Sequence, residues 1–209
     1  MAVTPRAQIP RLTELSLLIE TPRLKLRPLT EGDVDAVFAV AKQREFPKYM
    51  SWAAHADREV TLEWIQQLIA GLVQNRNVCW GIELEGKLVG TIELGDVTWQ
   101  LLALRVDRAE LGYWLAQPHW GKGLMTEAVT AVVQFAFQTL GLHKVTTKCF
   151  VENAGSRRVM EKAGFRFVGR AEDDIWRDAA WHTHLLYELT SAEWPDVHTT
   201  MRINKPRPT

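Results

Sequence analysis

Along the chain, apolar positions fall into two periods, and the switches between them outline the fold. From Leu17 to Leu29, Leu24 and Leu26 alternate with Arg23, Lys25 and Arg27, which predicts a strand closed by Pro28. Thr30-Glu-Gly-Asp33 has the spacing of a capping box, with Asp in place of the longer Glu. A helix should follow with Val34, Val37, Phe38 and Ala41 on one face. Asp57 is a cap for a second helix over roughly 58–73, with Leu62, Ile65, Ile69 and Leu72 inward. Residues 44–57 between them follow no period and carry Phe46, Tyr49, Met50, Trp52 and His55. Val78–Leu84 and Lys87–Leu94 alternate on either side of Glu85-Gly86, a hairpin. Gly95 to Arg108 is less regular and reads as a strand end plus a loop. Ala109–Ala116 is a third strand, with Leu111, Tyr113 and Leu115 on one face and Glu110, Gly112 and Trp114 on the other.

The period then changes abruptly. Gln117-Pro-His-Trp-Gly-Lys-Gly-Leu-Met-Thr-Glu-Ala128 joins that strand to a helical stripe of Met125, Ala128, Val129, Val132, Ala136 and Leu140, stopped by Gly141. A strand over Lys144–Val151, a short helix over Ala154–Ala163 opened by Asn153, and strands from Phe165 and over Trp181–Thr190 complete the pattern. Asp173–Ala180 reads as a polar turn. Residues 1–16 read as an N-terminal arm, 17–191 as one domain and 192–209 as a C-terminal tail.

Glycines flanking a lysine at the mouth of a helix suit an anion. A helix start offers about four unpaired N–H groups and roughly half a positive charge, and glycine leaves the backbone open to approach. Trp120, Gly121, Lys122, Gly123, Leu124 and Met125 are therefore candidates for a phosphate cradle. The chain has no Gly-x-x-x-x-Gly-Lys-Ser/Thr run, which excludes a Walker-type nucleotidase.

Composition narrows the classes. The 209 residues carry 25 Lys+Arg against 25 Asp+Glu, so no basic excess points to nucleic acid. No apolar run reaches the ~18 residues of a membrane span, and Met1–Pro10 lacks an apolar signal core, so a cytoplasmic protein is expected. Cys79 and Cys149 sit in strand-like runs and read as buried thiols. His182 and His184 alternate on one strand without a third ligand, so no metal is expected.

The element order and three stretches together resemble the GNAT N-acetyltransferase superfamily, and within it the RimJ/RimL group. The stretches are Glu110–Ala128, Asn153-Ala-Gly-Ser-Arg-Arg-Val-Met-Glu-Lys-Ala-Gly-Phe165 and Glu20-Thr-Pro-Arg-Leu-Lys-Leu-Arg-Pro-Leu29. The resemblance implies an α+β (mixed α/β) fold: a mostly antiparallel sheet of about six to seven strands with two splayed parallel strands, flanked by about four helices. It implies acetyl-CoA as cosubstrate, its pyrophosphate on the glycine turn and its pantetheine arm along Trp114, Leu115 and Ala116. One N–H there would meet the thioester oxygen. Asn153, a good N-cap by type, would also contact the pantetheine, and Arg158 is a candidate for a CoA phosphate. The chain departs from the superfamily pattern twice: Pro118 stands where Arg or Gln is frequent, and Met160 stands where many relatives carry a tyrosine acid. In the subgroup a serine at the Ser156 position reaches the sulfur, which makes Ser156 the expected donor to the departing thiolate.

The acceptor amine must lose a proton. Glu110 and Glu93 are the candidate bases, with Glu172 and Asp174 as further carboxylates. Tyr49, Trp52 and His55 are candidates for a substrate wall. The expected acceptor is a protein or peptide N-terminal α-amine, with a small amine (polyamine, aminoglycoside or amino acid) as the alternative and a non-catalytic acyl-CoA-binding protein as a third reading. Trp52, Trp99 and Trp176 are candidates for a homodimer interface.

Overall fold

A computed structural model describes residues 9–43 and 46–194. Eight strands form one sheet: β1 (Ile19–Glu20), β2 (Leu24–Pro28), β3 (Val78–Leu84), β4 (Lys87–Leu101), β5 (Leu104–Leu115), β6 (Lys144–Phe150), β7 (Arg166–Arg177) and β8 (Ala180–Thr190). Their order across the sheet is β1-β2-β3-β4-β5-β6-β8-β7. Neighbours are antiparallel except β5 and β6, which are parallel and hydrogen-bond over three pairs only, Arg108–Lys144, Ala109–Val145 and Glu110–Thr146. Beyond Glu110 the two strands part. The helix α3 (Leu124–Gln138) is the crossover that a parallel pair requires.

The sheet is covered on both faces. Helices α1 (Val34–Ala41) and α2 (Arg58–Val73) lie on one face, where Leu29, Val34, Val37, Ala41, Phe46, Ile65, Cys79 and Trp114 form a compact core. On the other face, α3 and α4 (Ala154–Lys162) pack against Trp80, Ile82, Ile92, Leu94, Leu111 and Val145. Every member of the α3 stripe named from sequence is buried, from Met125 to Leu140. Each large aliphatic side chain so buried contributes about 1.5–3 kcal/mol.

The local chemistry explains the element ends. Asp57 Oδ1 accepts from Val60 N–H (2.9 Å) at the start of α2, and Asn153 Oδ1 accepts from Ser156 N–H (3.0 Å) at the start of α4. The Asp33 carboxylate reaches back to Thr30 N–H (2.9 Å), so the shorter Asp closes the box through one turn of 3₁₀ helix rather than an α turn. It also takes both arms of Arg27, at 2.7 and 2.8 Å. Gly141 ends the α3 region at φ +63°.

Three expectations need correction. The Leu17–Leu29 stretch is two short antiparallel strands, because Thr21 turns the chain back, its hydroxyl and N–H both bonding Leu24 O. Gly95–Arg108 is no loop: β4 and β5 continue as a hairpin, with the alternation broken by register shifts and left-handed residues at Asp96 and Leu102. Likewise Asp173–Ala180 is mostly strand. The reversal is confined to Asp178-Ala179, both at positive φ, as a two-residue hairpin turn demands. The sheet thus has eight strands, not six or seven.

Of the terminal segments, residues 1–8 and 195–209 lie outside the described residues. The described part of the arm is packed: Leu12 is fully buried, its N–H donates to Asn75 Oδ1 (2.7 Å), and Asn75 Nδ2 donates to Pro10 O (3.0 Å). At the other end Trp194 is buried with its ring edge-on to Phe137. Trp99 is buried and Trp52 lines a cleft, which leaves Trp176 as the exposed member of the three tryptophans expected at a dimer interface.

Candidate active site

The parting of β5 and β6 leaves a wedge through the sheet, and a cleft of about 690 Å³ fills it. Strand alternation puts different chemistry at its two ends. Glu110, Gly112 and Trp114 of β5, with Thr91 and Glu93 of β4 opposite them, turn to the α1/α2 face. Tyr113 of β5 and Cys149 of β6 turn to the α3/α4 face, where Asn153, Ser156 and Arg158 of α4 close the cleft. A second hollow, between β1 and α3, holds none of these groups, and its Glu127 carboxylate is already bound by Thr21 and Arg23.

The glycine turn forms one mouth. Gly121 and Gly123 both have φ +75°, and Gly123 is the residue from which α3 starts. A Cβ at Gly121 would meet nothing within 4 Å, so the space in front of this backbone is open to a ligand. The positive φ, rather than a neighbour, requires glycine there; another residue costs about 1–2 kcal/mol. The turn is gripped from behind by the β1–β2 connection. Arg23 Nη1 donates to Lys122 O (2.9 Å), and its guanidinium pairs with Glu127 at 2.7 Å. Burial alone would raise the Glu127 carboxyl. Thr21 and Arg23 outweigh it and hold the group below its ordinary range, so the helix start carries a compensated charge.

Backbone direction along β5 follows from the ladder. Ala116 N–H donates to Val89 O (2.8 Å), toward β4. Antiparallel neighbours alternate edges, so Leu115 and Tyr113 present their polar groups toward β6. The side-chain partners agree: Thr146 and Thr147 hydroxyls reach Ala109 O (3.3 Å) and Leu111 O (2.8 Å), and Trp120 Nε1 donates to Leu115 O. Tyr113 N–H and C=O and Leu115 N–H therefore point into the gap. Ala116 does not, and Trp114 contributes its ring: Trp114 is buried edge-on to Phe46 at 5.4 Å.

At the α3/α4 end, Ser156 Oγ lies 2.9 Å from the Tyr113 hydroxyl. Burial pushes the Tyr113 phenol far above its ordinary value, so it stays protonated. Cys149, also hydrogen-bonded to Ser156, has its thiol pushed up to about 11 by burial. It is a neutral thiol at pH 7 and a poor nucleophile. Met160 is fully buried in the core and does not reach the cleft.

At the α1/α2 end the walls are aromatic: Phe46, Tyr49, Trp52, Trp64, Trp114 and Phe150. Glu93 is half-buried here, and its carboxyl is pushed up to about 7, chiefly by desolvation, with Asp96 and Glu110 adding repulsion against an Asn77 hydrogen bond. Across the cleft, His184 is buried against Phe150 (4.4 Å), and its Nδ1 lies 2.6 Å from Asp174, whose second neighbour is Lys148 Nζ at 3.5 Å.

The structure thus brings together Glu93, Glu110, Trp114, Leu115, Trp120, Gly121, Gly123, Leu124, Met125, Asn153, Ser156, Arg158, Tyr49 and Trp52 around one cleft. Three expected residues are not on it. Ala116 spends its N–H on β4; Lys122 is exposed, its carbonyl accepting from Arg23; His55 is buried, bonded to Thr61 Oγ1 (2.8 Å) and packed on Trp52 and Trp64. Glu172 is exposed and held by Arg170 and Thr183. Sequence reasoning missed Tyr113 as a residue of the cleft and, although it named Asp174 as a further carboxylate, missed the pairing of Asp174 with His184. The signal for Tyr113 was its place two residues from Leu115 on the same strand face. For the pair, only the β7–β8 register reveals it.

Comparison with known proteins fits this geometry. The sequence profile of the acetyltransferase (GNAT) domain matches residues 23–166. The chain belongs to the GNAT acetyltransferase family. It is 39% identical to "Probable N-acetyltransferase YjcK" of Bacillus subtilis, over 84% of this chain and 98% of that one. It is 34% identical to the [ribosomal protein uS5]-alanine N-acetyltransferase of Escherichia coli, over 40% of this chain and 43% of that one. Among solved structures, Mycobacterium smegmatis RimJ in complex with CoA-disulfide superposes with a TM-score of 0.76 at 27% identity, covering 89% of this chain and 92% of that one. This GNAT chain is an N-acetyltransferase by family and fold. Among the described residues no cluster of metal ligands occurs, and no helix is long and apolar enough to cross a membrane.

Proposed function

We propose that this N-acetyltransferase moves the acetyl group of acetyl-CoA to the α-amine of a peptide N-terminus by direct attack within one ternary complex. The observation that carries the reading is the cleft through the sheet, with the glycine turn and Ser156 at one end and two carboxylates within aromatic walls at the other. The open left-handed Gly121 backbone supports pyrophosphate binding at the start of α3. Leu115 N–H is the donor for the thioester oxygen, and Ser156 Oγ–H is the donor for sulfur. Glu93 takes the amine proton: a carboxyl titrating at about 7 is matched to this task at neutral pH. An α-amine, with a pKa near 8, needs only such a modest base, whereas a lysine amine near 10.4 needs more. The neutral Cys149 thiol argues against an acyl-enzyme route.

The peptide reading draws on the aromatic walls and on the uS5-alanine N-acetyltransferase relative. The test is thiol release and product mass with acetyl-CoA against peptides starting in Ala, Ser or Met, and against polyamines, aminoglycosides and amino acids. Faster turnover on a small amine than on any peptide would overturn the acceptor assignment.

A further inference from the structure

We infer that Tyr113 is the positioning residue of the leaving-group step: its hydroxyl holds Ser156 Oγ so that the serine proton is directed at the sulfur of CoA. This rests on the acetyl-transfer reading above and assigns a role within it to a side chain of β5.

The placement follows from the fold. Tyr113 lies on the face of β5 that looks to α4, at the point where β6 has parted from β5, so nothing of the sheet stands between its ring and the start of α4. Ser156 is fixed from its own side: its N–H is held by Asn153 Oδ1 at 3.0 Å. Its hydroxyl meets Tyr113 OH at 2.9 Å, while the Ser156 carbonyl is farther from that phenol, at 3.3 Å.

The inferred role assigns the hydrogen bond a direction. A hydroxyl has one proton and two acceptor lone pairs. The phenol has one proton to give, and Ser156 Oγ at 2.9 Å lies nearer to it than the Ser156 carbonyl at 3.3 Å, so in the arrangement we infer the phenol donates to Oγ. Ser156 must then place its own proton elsewhere. Its other neighbour, the Cys149 thiol, is a weak acceptor, and the remaining direction is the cleft. An unheld serine would rotate freely and point its proton at any nearby oxygen. Tyr113 removes that freedom, and a donated bond to Oγ also makes the serine proton a stronger donor.

No other phenol can take this place. Of the three tyrosines, Tyr187 donates to Glu161 (3.4 Å) and is not on the cleft, and Tyr49 stands against Phe150 at the acceptor end. Met160, one turn beyond Ser156 on α4, is packed in the core.

The step balances without proton transfer through the tyrosine. The amine nitrogen forms a bond to the acetyl carbon and gives its proton to the base. The carbon–sulfur bond breaks with its electron pair on sulfur, which leaves as a thiolate hydrogen-bonded by Ser156. With a thiol pKa of about 8.5, it takes a proton from water after departure.

The test uses the full chain with acetyl-CoA and the best acceptor of the amine panel. Tyr113→Phe keeps the ring and removes the hydroxyl. We expect kcat to fall about tenfold with the KM for acetyl-CoA within about twofold, as for loss of a hydrogen bond used in the transition state. Ser156→Ala should fall further, and the double variant Tyr113→Phe/Ser156→Ala should be no slower than Ser156→Ala alone. That non-additivity is the readout a merely structural tyrosine would not give. Unchanged kcat in Tyr113→Phe, or losses that multiply in the double variant, would overturn the role of Tyr113 and leave the acetyl-transfer reading standing. Failure of Tyr113→Phe to fold, judged by circular dichroism and melting, would assign the hydroxyl to structure and overturn it too. If the wild-type chain released no thiol with any amine, the acetyl-transfer reading itself would fall, and this inference with it.

Discussion

Glu93→Gln should make the protein slower and more stable at once. The Glu93 carboxyl, pushed up to about 7 by desolvation and by Asp96 and Glu110, has a usual value of 4.5. A carboxyl with a raised folded-state pKa binds a proton more tightly folded than unfolded, so stability falls as pH rises from 4.5 through 7. At pH 8 the shift costs the fold about 3 kcal/mol at 1.36 kcal/mol per unit, and at pH 5 under about 1 kcal/mol. Gln keeps the shape and cannot ionise. Its melting temperature at pH 8 should exceed that of the wild type by about 5–10 °C, with the gap closing toward pH 4.5. Activity should move the other way. The deprotonated fraction of Glu93 rises about tenfold between pH 6 and pH 8, and kcat at saturating acceptor should follow it. The Gln variant should lose about 100-fold in kcat and that limb of the profile. Glu110→Gln serves as the comparison, since it removes a repelling neighbour and should lower the midpoint of the limb. Scanning calorimetry at pH 5 and 8 and a pH–kcat profile test both halves. A Gln variant that melts with the wild type at pH 8 and keeps the same limb would refute the reasoning.

Other expectations are shorter. Gly121→Asp puts a side chain at φ +75° and a negative charge in front of the α3 start; acetyl-CoA Kd by calorimetry should rise more than about tenfold. Unchanged affinity would remove the turn from the cofactor site. Ser156→Ala should lower kcat with acetyl-CoA affinity nearly kept, and equal turnover would remove it as thiolate donor. Arg23→Ala loosens the grip on Lys122 O; because the pair with Glu127 is half-exposed, stability should change by under about 1 kcal/mol, while the KM for acetyl-CoA rises a few-fold at constant kcat.

Much of this site was legible in the sequence, and the reasons are local. The strand–glycine–helix run at 109–140 carries its own geometry: alternation, then positive-φ glycines, then a 3.6 period. Asn153 with Ser156 is likewise a local cap. What was not legible depends on long-range contacts. His55 sits in an aromatic stretch that looks like a wall, but Thr61 and Trp64 of α2 enclose it. At Lys122 the hold of the β1–β2 turn on its carbonyl is a contact across 99 residues, which no local pattern shows. The strands through Gly95–Arg108 were hidden because left-handed residues and register shifts break the period on which strand recognition rests.

The same register accounts for the division of labour at the wedge. One strand, β5, lines both ends of the cleft because its side chains alternate faces while its backbone alternates edges. Glu110, Gly112 and Trp114 face the aromatic end, Tyr113 faces Ser156, and Leu115 N–H faces the gap. Parallel pairing of β5 with β6 must stop at Glu110 for this to work. Had the ladder continued, the groups of Tyr113 and Leu115 that face the gap would be spent on β6, and the cleft would be closed. The short parallel pair is therefore the structural condition for the cleft, and the pairing of Glu110 with Thr146 marks where the β5–β6 ladder ends and the cleft begins.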